Sequence, residues 1–222
     1  MTTVYFIRHC EAQGNVQRIF QGSTDLDITE MGAVQLQFLA ARFLEVPLDA
    51  VYASPLRRAY KTGLAVAQAK GLSVQAEDGL REFDGGVFEG KLFAQTFQQH
   101  PDLAEIWENH PQDFVPENGE PMRDAYDRIC TCVKKIVAQN PGKTLAVATH
   151  GGVIRCLMAY LQYGDITHLA EIPWSENTAI AKVEFAADGT HRVCSFNDRR
   201  HLPDEFCPKR SRIPLKIERD LA

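Results

Sequence analysis

Residues 4–15 read VYFIRHCEAQGN. Val4 to Ile7 is a strand-length run of β-branched and aromatic residues, and it ends on Arg8 and His9 where a turn dipeptide would be ordinary. Cys10 follows at once, so two side chains of nucleophilic type stand together at the end of one apolar strand.

Working outward, similar runs recur at AVYAS (50–54), SVQAE (73–77), LAVATH (145–150) and in a late hairpin, AIAKVEFAADGTHRVCSFN (179–197), whose turn is set by Asp188-Gly189. Helix-period segments alternate with them. Thr29 is placed to cap residues 30–45, where Leu36, Leu39 and Phe43 form one stripe. Ser54 and Pro55 read as N-cap and N1 of a helix closed by Gly71. Tyr126, Ile129, Val133, Ile136 and Val137 share one face of the segment 123–139, and a buried helix runs from Gly151 to Gly164. Strands alternating with helices predict a three-layer α/β/α domain with a mostly parallel central sheet.

One domain over residues 1–222 accounts for the length. The segment 91–121 breaks the pattern, with Pro101, Pro111, Pro116 and Pro121 spaced around Phe93, Phe97 and Trp107, and reads as a small helical cap insertion. Residues 202–222 form a C-terminal tail carrying Lys209, Arg210 and Arg212, which either folds over the site or packs on the surface.

A formal charge of −5 argues against nucleic acid as partner, since CPKRSR in the tail is the only basic cluster. No stretch approaches the roughly 18 apolar residues of a membrane span, and the start lacks a basic, then apolar leader. The expectation is a cytoplasmic protein, monomer or homodimer, with six reduced cysteines. Cys130 and Cys132, two apart on a predicted helix, point to different faces, and the histidines at 100, 110, 168, 191 and 201 show no metal-ligand spacing.

In open α/β sheets ligands sit beyond the carboxyl ends of strands, which directs attention to Arg8 and His9 after the first strand and to His150 before Gly151-Gly152. Two histidines and an arginine beside a helix N-terminus suit an anion, and phosphate is the natural guest. Arg58 lies in the first turn after the VYAS strand and can reach the same point; Arg57 sits about 100° around that helix. Phosphoryl transfer to a side chain needs a neutral nitrogen or a thiolate, donors for the equatorial oxygens and an acid for the leaving oxygen. LREFDGGVFEG (80–90) offers Glu82, Asp84 and Glu89 as that acid, with Glu82 preferred; Asn15 is an uncharged donor. A thiolate phosphatase loop needs arginine six residues after its cysteine. From Cys10 that position is Val16, which demotes the cysteine.

Taken in order, FIRHCEAQGN, FQGSTDLDITEMG, ASPLRRAYKT, LREFDGGVFEG, ENGEPM, VATHGGVIR and NTAI resemble the histidine phosphatase superfamily, phosphoglycerate-mutase-like branch, from Val4 to about His201. The resemblance implies a metal-independent phosphomonoesterase acting on a small phosphorylated substrate, with no cofactor. It implies His9 as nucleophile, Glu82 as proton donor, and Arg8, Arg58 and His150 as phosphate pocket, with Asn15, Gln21 and Gly22 lining the phosphate. Two alternatives stay open. One is a mutase, disfavoured because residues 93–122 contain no Lys or Arg to hold a doubly anionic intermediate. The other is a binding protein whose loop Cys10 disables, since the family has glycine there. A Cβ at that position costs about 1–3 kcal/mol if φ is positive, and Cys10 is also a candidate point of oxidation.

Overall fold

The computed structural model describes residues 1–207, so the tail cations Lys209, Arg210 and Arg212 lie outside the described residues. The strands are β1 (Thr2–Arg8), β2 (Ala50–Ala53), β3 (Val74–Ala76), β4 (Thr144–Thr149), β5 (Ile180–Phe185) and β6 (His191–Asp198). They form one sheet in the order β3-β2-β4-β1-β5-β6. The first four are parallel, and β5 and β6 complete the sheet antiparallel. This is the mostly parallel sheet that the strand and helix alternation predicts.

Around it stand α1 (Gln13–Gln17), α2 (Glu30–Phe43), α3 (Arg57–Gln68), α4 (Phe93–Gln99), α5 (Pro101–Asn109), α6 (Met122–Gln139) and α7 (Gly151–Tyr163). Side-chain alternation along β1 and β2 splits the core in two. Ile7 and Val51 pack with Leu36, Leu39, Phe43 and Val66 of α2 and α3. Val4, Phe6 and Tyr52 pack with Ile129, Val133, Ile154 and Leu157 of α6 and α7. Helices therefore cover both faces, making three layers.

Several local signals act as read. Thr29 Oγ1 accepts from Gly32 N–H at 2.9 Å and caps α2. Gly164 ends α7 in the left-handed region at φ 73°, and Gly189, at φ 88°, turns the hairpin whose Ala186 N–H reaches Thr190 O at 2.8 Å. One signal does not. The structure starts α3 at Arg57 with Leu56 as N-cap, so Ser54 and Pro55 lie ahead of the helix, and Ser54 is taken up by a tertiary partner.

The sheet's two edges differ from its centre. β3 has only three residues. β6 is long, but its register against β5 shifts twice, and Arg192 pairs with Glu184 across the strands at 2.7 Å.

Candidate active site

Parallel register decides where the functional residues meet. Arg8 stands opposite Thr149, and Ala53 opposite Ala148, so β1, β4 and β2 leave the sheet side by side. The next residues are His9, His150 and Ser54. His9 N–H donates to Thr149 O at 2.8 Å and Ser54 N–H to Ala148 O at 3.0 Å, which holds all three at one level.

His9 is buried, and its Nδ1 lies 2.7 Å from the carbonyl of Cys10. A carbonyl only accepts, so Nδ1 carries the proton and Nε2 keeps its lone pair. Asn177 Nδ2 holds the backbone of the same residue, donating to His9 O at 3.0 Å. Burial, then the charges of Arg58 and Arg8, push the His9 imidazole well below its ordinary value. It is neutral at physiological pH, the state a nucleophile needs.

The His150 ring lies 5.3 Å from that of His9, centroid to centroid. His150 precedes α7, whose first residues are Gly151 and Gly152. Both glycines matter by close approach. A Cβ on Gly151 would stand 3.1 Å from the Trp174 ring and 3.4 Å from Arg8 Nε. One on Gly152 would stand 2.5 Å from Glu82 Oε1 and 2.9 Å from Phe83 Cε1.

Glu82 therefore sits over the start of α7, where Gly152 N–H donates to its Oε2 at 2.9 Å. Burial raises its carboxyl above the ordinary range, against the pull of that N–H and of Arg58. A carboxyl that holds its proton more tightly than usual is suited to general-acid work. Of the competing acids, Asp84 Oδ1 accepts from Gly86 N–H at 2.8 Å within its own turn. Glu89 is fully engaged as a staple: its carboxylate accepts from the N–H groups of Gly22 at 3.2 Å, Ser23 and Thr24 at 2.9 Å, and Gly85 at 2.8 Å, and from the Thr24 hydroxyl.

Arg58 is fully buried and takes hold of the other side of that loop, donating to Thr24 O at 2.9 Å, Gln21 O at 3.0 Å and Gly22 O at 2.8 Å. Its Nε is buried with no protein partner, as is His150 Nδ1. Buried polar atoms are normally paired, and two unpaired ones beside a neutral imidazole make this a candidate polar ligand site. Arg8 donates from Nη1 to Ser175 O. Arg57 is exposed and turns away to Asp25 at 3.5 Å.

The remaining expected residues lie nearby in unequal roles. Asn15 Oδ1 accepts from Ala12 N–H at 2.9 Å. The Gln21 amide is buried without a protein partner, close enough to Gly14 that a Cβ there would collide with its Oε1. Gly22 has its N–H on Glu89 and its carbonyl on Arg58, so it serves the site by placing the arginine. Ser54, for which the sequence suggests only a helix cap, also reaches this cluster: its Oγ lies 2.8 Å from His150 Nε2, across 96 residues of sequence.

Cys10 answers for itself. Its backbone is ordinary, since among the described residues the non-glycine positions at positive φ are Arg18, Asn118, Thr178 and Asn197. Its side chain is fully buried in the α2 and α3 layer with Ile7 and Leu39, and burial pushes the thiol up to about 12. Such a thiol is inert as nucleophile and as oxidation target. His201, expected as an ordinary loop residue, is half-buried with Nε2 at 3.2 Å from Thr178 Oγ1. Among the described residues, no group of three or more His, Cys, Asp or Glu is arranged to hold a metal ion, and no helix is long and apolar enough to cross a membrane.

Comparison with known proteins identifies the family. The family model of the histidine phosphatase superfamily (branch 1) matches residues 4–199. Putative phosphoserine phosphatase 2 of Hydrogenobacter thermophilus is 33% identical over 188 residues, 85% of this chain and 92% of the relative. Phosphoglycerate mutase-like protein 4 of Arabidopsis thaliana is 32% identical over 157 residues, 69% and 68% of the two chains. The solved structure of Bacillus stearothermophilus YhfR superposes with a TM-score of 0.85 at 31% identity, covering 90% of this chain and 99% of its own. On the family match and on the shared fold, this chain belongs to branch 1 of the histidine phosphatase superfamily.

Proposed function

We propose that this phosphoric monoester hydrolase works without a metal, through a phosphohistidine on His9, on small phosphorylated metabolites. One observation carries the reading: the Cys10 carbonyl fixes the proton on His9 Nδ1, leaving a neutral Nε2 lone pair beside two arginines and the N-terminus of α7. Those groups supply the positive field that phosphoryl oxygens require.

In the first step Nε2 of His9 forms a bond to phosphorus, the ester P–O bond breaks, and the Glu82 proton passes to the leaving oxygen. In the second, Glu82 carboxylate takes a proton from water as the water oxygen bonds to phosphorus. The P–N bond breaks and its electron pair returns to His9. Arg8, Arg58 and His150 hold the equatorial oxygens, and residues 91–121 act as a cap beside them. Phosphoserine, in the name of the Hydrogenobacter relative, belongs in a first substrate panel with sugar and aryl phosphates. A mutase cycle is less well supported, because residues 93–122 bring no Lys or Arg to retain a doubly charged intermediate.

The test is phosphate release from p-nitrophenyl phosphate in EDTA. Native protein and Cys10→Ser turn over, and His9→Ala loses at least about a thousandfold; acid-labile phosphate is trapped on the native chain. Activity that survives His9→Ala, or that EDTA abolishes, rejects the mechanism.

A further inference from the structure

His9 and His150 face the same space, yet only His9 has a backbone carbonyl to fix its tautomer. His150 has Ser54. The Ser54 side chain is fully buried, its Oγ is 2.8 Å from His150 Nε2, and Leu56 N–H donates to that same Oγ at 3.3 Å. A hydroxyl has one proton and two acceptor sites. If Nε2 also donated to it, Oγ would accept twice, and the hydroxyl proton would be buried with nowhere to go. The arrangement that satisfies every atom is Leu56 N–H to Ser54 Oγ, then Ser54 O–H to His150 Nε2.

We infer that Ser54 is a positioning residue that holds His150 as the Nδ1–H tautomer, so that a neutral N–H donor, not a lone pair, is turned toward the phosphoryl oxygens. His150 Nδ1 is buried without a protein partner, as a donor kept for a ligand must be. The groups around it are Arg8 and His9 from the β1 end, Arg58 from α3 and Arg128 from α6, and together with burial they keep the ring uncharged. Both histidines then carry the proton on Nδ1 with opposite consequences. His9 presents its bare nitrogen for attack, and His150 presents its N–H for binding. This assignment rests on the phosphomonoesterase reading for the identity of the ligand, although the tautomer itself does not.

The experiment uses the full chain labelled with 15N-histidine and records long-range 1H–15N correlations, alongside calorimetric titration with inorganic phosphate. In the native protein His150 shows a protonated Nδ1 and an acceptor-type Nε2. In Ser54→Ala that pattern gives way to mixed or Nε2–H character, and phosphate binds about tenfold more weakly. A protonated Nε2 in the native protein overturns the inference with no variant needed. So does a folded Ser54→Ala that keeps both the native tautomer and the native phosphate affinity. Neither readout requires turnover, so an inactive native enzyme would count against the phosphatase mechanism and leave the role of Ser54 standing.

Discussion

Two dense side-chain clusters meet at the start of α7, and they obey opposite rules. The aromatic cluster is self-sufficient: Phe83, Phe88, Phe97, Trp107 and Phe114 stand against one another at centroid distances from 5.0 to 6.4 Å, mostly tilted or edge-on. The polar cluster at the strand ends leaves Arg58 Nε and His150 Nδ1 buried and unpaired. Apolar rings gain by being buried together, and unpaired polar atoms lose by it. The first cluster supplies stability, and the second leaves a demand for polar partners that the protein itself does not meet.

Breaking the aromatic side has the largest expected effect. Phe97 is nearly fully buried, and Phe97→Ala removes about 3–5 kcal/mol from the unfolding free energy measured in denaturant. Below its melting temperature the variant keeps kcat within a few-fold, because Phe97 touches rings and not the histidines. An equal collapse of kcat in the folded variant would merge the two clusters into one.

Gly152→Ala strikes the seam between them. The new Cβ displaces Glu82 on one side and Phe83 on the other. The expected outcome is a loss of about 1–3 kcal/mol in stability, with kcat/KM reduced on the order of a hundredfold for alkyl esters, which need their leaving oxygen protonated. Nitrophenyl phosphate suffers much less. Equal losses on both esters would detach Glu82 from leaving-group protonation.

The smallest effect sharpens the polar side. Burial lowers His9 and His150, and His201 falls to about 4. The unfolded chain takes up protons on these residues near pH 6.5 while the folded chain does not, so stability is full above that pH and lost as pH falls toward the folded values. Glu82, raised by burial, acts in the opposite sense, its contribution being lost as pH rises through its folded value. Three lowered groups outweigh one, so the unfolding free energy falls from pH 7 to pH 5 by about 1.4 kcal/mol per pH unit for each net proton, and the melting temperature falls with it. His9→Ala makes that slope shallower. A slope unaltered by the substitution would show that His9 is not held neutral by the fold.

Much of this was legible in the sequence, for local reasons. Thr29 caps through its own helix, Asp188-Gly189 turns within its own hairpin, and the apolar runs of β1 and β4 become the sheet's central strands. The line-up of His9 with His150 follows from parallel register, which strand ends foreshadow. Ser-Pro before a helical segment is a local pattern for a cap, whereas the partner of Ser54 is a histidine 96 residues away. Glu89 reads in the sequence as a further candidate acid because a carboxylate's role depends on which N–H groups the folded loop aims at it. Likewise, which layer received the Cys10 sulfur depended on the path of the chain after β1 ends at Arg8.

The sheet's edges carry a consequence for the protein in concentrated solution. An open edge is a template on which a second chain can add a strand, and this sheet has two. The β3 edge offers only three residues to pair with. The β6 edge is longer, but it is bent by two register shifts and carries Arg192, with Arg200 just past its end, each tied to a neighbouring carboxylate. An incoming strand would have to follow the bend and bury those ion pairs. Both edges therefore resist strand-to-strand aggregation, leaving the buried central strands free to be as apolar as the core requires.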